Sequence, residues 1–304
     1  MKQTFYSPGK LLLTGEYVVL DGAQALAIPT KFGQSLSVEP ISESKIEWTS
    51  LDKNHTPWYE TVLVINSENE ITTTATDSIS TTLIDILQAA QRINPTFLLK
   101  NKGFRVTTTL QFPREWGLGS SSTLITNIAL WADVDAFKLL DSSFGGSGYD
   151  IAVAQRKSPI LYRKGGLDGP FLKSLPLKWP FMNSIFFVHL NRKQDSKEGI
   201  ANYRNAHKSA AKSARISAIS EKLPTCESIS HFEGLLQEHE SIISEIIGVE
   251  TVKQLLFSDY PRTVKSLGAW GGDFVLAVGN EAHKAYFREK GYKTILSFEE
   301  MVAG

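Results

Sequence analysis

The most restrictive stretch of the chain is a β-forming run, Phe104 to Phe112. It passes through Pro113 into Gly117-Leu118-Gly119-Ser120-Ser121-Ser122 and then into Leu124, Ile125, Ile128, Ala129 and Trp131 at helical spacing. Strand, glycine-rich turn and helix in immediate succession leave the backbone few alternatives. Gly117 and Gly119 remove Cβ obstruction, and a helix start supplies unpaired N–H groups and partial positive charge. The turn can therefore hold an anion while a serine hydroxyl ligates Mg²⁺. Taken alone, the same residues also suit a tight strand-to-helix turn with a serine N-cap. A Walker A sequence and a complete G-x-G-x-x-G are both missing, which weakens an ordinary P-loop or Rossmann reading.

The rest of the chain alternates strand and helix signals. From Lys10 to Pro29 it reads as a β segment, a Gly15-Glu16 turn, a second apolar run from Tyr17 to Leu20, an Asp21-Gly22 turn and another apolar stretch from Ala25 to Ile28, the pattern of a folded-over sheet with a turn at its centre. β formers cluster at 32–38 and 61–65. Asp77 is placed to N-cap a helix with Ile79, Leu83, Ile86, Leu87 and Ala90 on one face. The second half predicts a strand at 185–190, helices near 198–219 and 229–247, a glycine-rich strand entry at 268–278, a helix at 281–289 and a strand at 294–296. This order argues for the α+β class, with two packed lobes, 1–165 and 166–304, meeting near Gly165 and Gly166.

Thirty-two basic and 32 acidic residues cancel, so no overall field favours nucleic acid or an anionic membrane, and phosphate chemistry must be arranged locally. A 42% hydrophobic content supports a substantial core. Cys226 is the sole cysteine and no zinc-type Cys/His spacing occurs, which fits a reducing cytoplasm. No secretory h-region and no run of about 18 apolar residues is present. The expected partner is a small-molecule substrate, with no nucleic acid, no membrane, and a monomeric or homodimeric state.

Two further glycine-rich segments carry polar residues. Ser143-Phe144-Gly145-Gly146-Ser147-Gly148-Tyr149-Asp150 delivers one carboxylate into the apolar run 151–154, where Asp150 could equally be a helix N-cap. A nucleophile elbow around Ser147 fails, because Tyr149 stands where glycine is required. Lys265-Ser266-Leu267-Gly268-Ala269-Trp270-Gly271-Gly272-Asp273 precedes an apolar strand and, by itself, reads as a hairpin or bulged strand entry.

The order of the segments resembles the GHMP kinases, the superfamily of galactokinase, homoserine kinase, mevalonate kinase and phosphomevalonate kinase. Ser7-Pro8-Gly9-Lys10 through Gly15-Glu16 to Gly22 is similar to the family's first motif, Gly117 to Ser122 to its G-L-G-S-S phosphate loop, and Gly268 to Asp273 to its third motif. Gly146 to Asp150 resembles the substrate loop of the phosphomevalonate and mevalonate kinases. Tyr149 to Ala152 is similar to a bacterial subgroup named for G-Y-D-I-A. The resemblance implies a two-lobe fold, with a ribosomal protein S5 domain 2-like N-terminal lobe and a C-terminal α/β-sandwich lobe, ATP between them, and Mg²⁺. It implies phosphoryl transfer to a mevalonate-pathway acid, with Gly117, Leu118, Gly119, Ser120, Ser121 and Ser122 on ATP, Ser121 on the metal, and Asp150 on the acceptor hydroxyl. Lys10 would sit beside that carboxylate, an attraction of about 4 kcal/mol at intermediate dielectric. Glu16, Gly148, Tyr149, Gly268 and Ala269 are the implied substrate contacts.

Two features depart from the family. Ser121 and Asp150 are 29 positions apart, a short interval, and residues 123 to 149 contain no glutamate to bind magnesium, which leaves Asp133, Asp135 or, best, Asp141 as a substitute. Trp270 stands where the family has glycine, and its ring either lines the site or packs internally. In 189–197, Arg192, Lys193 and Ser196 suit an anionic substrate group, or else a solvated loop. His207, His231 and His239 fall in helical stretches without a ligand pattern and read as surface residues. A decarboxylase of the diphosphomevalonate type, a kinase for homoserine or a sugar, and a catalytically silent ATP-binding protein are the alternative functions.

Overall fold

The computed structural model describes residues 1–99, 102–165, 169–192, 196–205, 209–268, 270 and 272–303. Its strands are β1 (Gln3–Thr14), β2 (Ala25–Ile41), β3 (Ile46–Leu51), β4 (Pro57–Ile65), β5 (Ile71–Thr72), β6 (Gly103–Leu110), β7 (Ile160–Arg163), β8 (Phe171–Ser174), β9 (Ile185–His189), β10 (Val264–Ser266), β11 (Phe274–Val278) and β12 (Ile295–Ser297). The helices are α1 (Ser78–Ile93), α2 (Ser120–Ala132), α3 (Ala136–Ser143), α4 (Tyr149–Arg156), α5 (Ser196–Asn205), α6 (Ala210–Lys222), α7 (Ile229–Ile247), α8 (Val252–Leu256), α9 (Glu281–Glu289) and α10 (Phe298–Met301). This mixture is the α+β class read from the sequence. No described helix is long and apolar enough to cross a membrane.

The chain forms two compact units that interleave along the sequence. One comprises Met1–Gly9, Phe32–Arg114 and Gly119–Gln155, and the other Lys10–Lys31, Glu115–Leu118 and Arg156–Gly304. In the first unit the strand order is β5-β4-β3-β6-β2, with β3 and β6 parallel and the other pairs antiparallel. Burial alternates along β3 and along most of β6, as expected for a sheet covered on one face. Leu36, Trp48, Leu63 and Val106 from the strands meet Leu83, Ile86 and Leu87 of α1, Ile125 and Ile128 of α2, and Leu139 of α3 in one core. The Asp77 side chain accepts from the Ile79 and Ser80 N–H groups, capping α1 as its position suggested.

In the second unit the first residues of β2 pair with β7, and β7 with β8. A separate antiparallel sheet runs β10-β11-β9-β12. Phe186, Val188, Phe257, Tyr260, Val275 and Phe287 form its core against α8 and α9.

Three local expectations are corrected. Tyr17 to Leu20 is no strand: Tyr17 has φ 63 and Val18–Asp21 is a 3₁₀ helix closed by Gly22 at φ 86, a left-handed stop that a strand cannot contain. The helical region near 198–219 is two helices, α5 and α6, the second capped by Ser209. His239 is fully buried on α7, because it faces other polar groups inside the unit; His231 is exposed, and His207 lies outside the described residues.

Candidate functional site

Strand β1 carries the first motif in its C-terminal half and ends in a turn. Gly15 takes φ 94, and a Cβ there would lie 2.6 Å from that of Ala25, so only glycine lets these backbones approach. The Thr14 hydroxyl bonds Ser220 Oγ of α6 at 2.7 Å and accepts the Leu26 N–H. Glu16 follows, 1% exposed, with Oε1 2.5 Å from the Lys265 ammonium of β10. Its Oε2 lies 3.1 Å from His239 Nε2, and that same nitrogen lies 2.9 Å from the Gly15 N–H. One ring nitrogen serves one of these two groups, accepting from Gly15 or donating to Glu16. Glu240 completes the cluster: its Oε2 accepts the Ser266 N–H, and Oε1 is 3.7 Å from Lys265 Nζ.

Four ionisable groups with almost no exposure must settle their charges among themselves. Burial works to raise the Glu16 carboxyl, but Lys265 foremost outweighs it and holds the group below its usual range. Burial, with Lys265 nearby, lowers His239 and favours the neutral ring. For Glu240 burial prevails over Lys265, and Glu16 adds to it, so this carboxyl is pushed up to about 8. The sequence reading gave Glu16 to the substrate; the structure puts it in the interior, bonded to a lysine that the sequence reading did not single out.

Further parts of the candidate site also lie in this second unit. Lys10 is half-buried; its N–H donates to Leu118 O at 3.0 Å and its ammonium to Gly117 O at 3.2 Å. Residues 115–118 are seated by Glu115 O within 3.3 Å of His189 Nε2 and by an edge-on contact of Trp116 with Phe274. Gly117 has φ 64, and a side chain there would collide with the Asp273 carboxylate. Arg192 is exposed, and its carbonyl accepts the Asp273 N–H. Gly268 takes φ 67. Trp270 is buried, with its backbone N–H on the Tyr17 hydroxyl, so its ring packs internally. Tyr17 stacks on Tyr203 of α5, whose hydroxyl bonds Asp21. Ser196 begins α5, while Lys193 and Ala269 lie outside the described residues.

The remaining site residues belong to the first unit. Gly119, in the left-handed region at φ 86, is the N-cap of α2 and offers no side-chain cap, so the first N–H groups of Ser120, Ser121 and Ser122 begin a 13-residue helix uncapped. The Ser122 hydroxyl turns back to Gly119 O, whereas Ser121 is exposed. Asn127 and Thr123 of the same helix bond Gln34 O and Oε1, tying α2 to β2. Asp150 is the second residue of α4 rather than its N-cap, preceded by Gly148 at φ 84 and the buried Tyr149. Asp141 is exposed on α3. Among the described residues no group of three or more His, Cys, Asp or Glu side chains is arranged to hold a metal ion.

No protein-family model and no curated protein matches the sequence. Solved structures do match. A Methanococcus jannaschii mevalonate kinase is 14% identical, with 97% of each chain covered and a TM-score of 0.71. A Streptococcus pneumoniae phosphomevalonate kinase in complex with phosphomevalonate and AMPPNP is 13% identical, covering 97% of this chain and 99% of that one, TM-score 0.71. A Lactococcus lactis galactokinase complexed with galactose is 13% identical, covering 100% and 94%, TM-score 0.68.

The buried cluster yields two expectations. Lys265→Met leaves the Glu16 carboxylate without its cation and lowers unfolding free energy by about 3–5 kcal/mol in urea titrations, with partial recovery when Glu16→Gln is added. Glu240 binds its proton up to about 8 when folded and only near 4.5 when unfolded, so its burial is tolerated below 4.5 and weakens the fold as pH rises toward 8. Denaturation at several pH values should therefore show Glu240→Gln gaining stability relative to the parent chain across that window.

Proposed function

We propose that this chain, which has the fold of the GHMP kinases, is an ATP-dependent small-molecule kinase. Its acceptor is proposed to be the hydroxyl or phosphate of a mevalonate-type acid. The observation that carries the reading is the start of α2: a left-handed glycine cap, no side chain spent on the first N–H groups, and an exposed serine in the first turn. Such a terminus is suited to an anion, and the glycines let phosphate oxygens approach the backbone. The AMPPNP in the phosphomevalonate kinase of similar fold supports ATP as the donor. The mevalonate and phosphomevalonate kinases among the matching structures support the acceptor class.

In this reading the N–H groups of Gly117 to Ser122 cradle the phosphates. Lys10, whose ammonium already donates to the Gly117 carbonyl, neutralises charge on the transferred group. Asp150, at the favourable N-terminal end of α4, orients the acceptor alcohol and takes up its proton. Ser121 is the protein oxygen offered to Mg²⁺, with phosphates and waters filling the remaining positions, as that ion's retained hydration permits. When bound, Mg²⁺ screens the phosphate oxygens.

The test is ADP release with mevalonate, phosphomevalonate, homoserine and several sugars in turn; no turnover with any of them, despite ATP binding, would sink the kinase reading, and CO₂ release would convert it to a decarboxylase. Asp150→Asn should lose about two orders of magnitude in kcat while ATP affinity is kept. Ser121→Ala should need more Mg²⁺ to reach half-maximal rate, and an unchanged magnesium dependence removes Ser121 from the metal.

A further inference from the structure

Asp273 drew no role from the sequence, yet several features of the second unit converge on it. It is 8% exposed and has φ 55, in the left-handed region that side-chain-bearing residues rarely occupy. Backbone held in this way concentrates at functional sites. Its N–H donates to Arg192 O at 2.9 Å and its carbonyl accepts the Leu190 N–H at 2.8 Å, so both of its backbone polar groups are fixed to the end of β9 and the residues after it. The carboxylate then fills the space a side chain on residue 117 would need: a Cβ on Gly117 would lie 2.3 Å from Oδ2 and 2.4 Å from Cγ. The carbonyl of the same Gly117 accepts the Lys10 ammonium at 3.2 Å. Summing these contacts through the bonds of one residue puts the carboxylate and the ammonium on the same turn, at most about 10 Å apart.

We propose that Asp273 is a positioning residue: its carboxylate fixes the Gly117 turn of the phosphate loop and holds the Lys10 ammonium at the Gly117 carbonyl. The consequence for turnover rests on the kinase reading; the arrangement itself does not. The glycine at 117 follows from the same geometry, since the missing Cβ is what admits the carboxylate.

Asp273→Asn is the informative variant, because asparagine enters the left-handed region as readily as aspartate and keeps its size, while the charge and one acceptor oxygen are lost. Asp273→Gly, which also tolerates that φ, serves if the first variant folds poorly. In either, amide hydrogen exchange over 115–118 should rise by about tenfold as the turn opens locally, and a lysine-specific acylating reagent should label Lys10 faster. Exchange and labelling at parental rates overturn the proposal whatever the chain catalyses. Changes in both, in a parent chain that binds no ATP, uphold the positioning role and reject the kinase reading instead. Where ATP binds, Asp273→Asn should weaken it in the parent but not in Lys10→Met, whereas additive losses, or a shifted Mg²⁺ requirement with unaltered exchange, count against it.

Discussion

Glu16 and Lys265 stand 249 positions apart, and both are withdrawn from water into one ion pair. Around that pair the end of β1 is fixed by elements from the far half of the chain: α6 through Ser220, α7 through His239, and the loop after β10 through the Trp270 N–H on Tyr17. Lys10 lies one short strand segment upstream of these anchors. Its ammonium donates to the Gly117 carbonyl and its backbone N–H to Leu118 O, so two hydrogen bonds join this strand to the same turn. Holding a side chain in this way depends on a supporting shell of locked groups, and here the shell is a buried polar cluster.

A buried ion pair is weak evidence for stability, since its desolvation consumes most of the attraction. What it supplies is a specific pairing, with the Lys265 ammonium donating to Glu16 Oε1 and to the Ser266 carbonyl. Apolar burial elsewhere in the same unit, including the fully buried Phe186, Phe257, Phe274 and Phe287, offsets the cost. Glu240 absorbs the excess acidity of the cluster by keeping its proton, which leaves one carboxylate facing one ammonium.

The glycine-rich turn at 117–122 shows a different economy of structure. Gly117 and Gly119 adopt left-handed backbone, and each does so for its own reason: Gly117 makes way for the Asp273 carboxylate, and Gly119 caps α2 without occupying its N–H groups. Residues 115–118 pack with the second unit and Gly119 onward with the first, so a single short segment is shared between two folding neighbourhoods.

Local signals in the sequence determined much of this. The Asp77 cap and the helical period after it defined α1, the pattern of 281–289 defined α9, and strand, glycine turn and helix marked the start of α2, because caps, periods and positive-φ glycines act within one turn of chain. The short strand β3 is hard to read because its apolar alternation breaks after Thr49, where Ser50 is the buried residue and Leu51 the partly exposed one. Tyr17 was read as strand because nothing in its side chain announces a φ of 63. Tertiary structure alone decided that Glu16 and His239 lie inside, that Lys265 pairs with Glu16, and that Asp273 fills the space beside Gly117. Those outcomes depend on contacts spanning more than a hundred residues, and a carboxylate's type and neighbours in sequence do not say which distant cation will remove it from water.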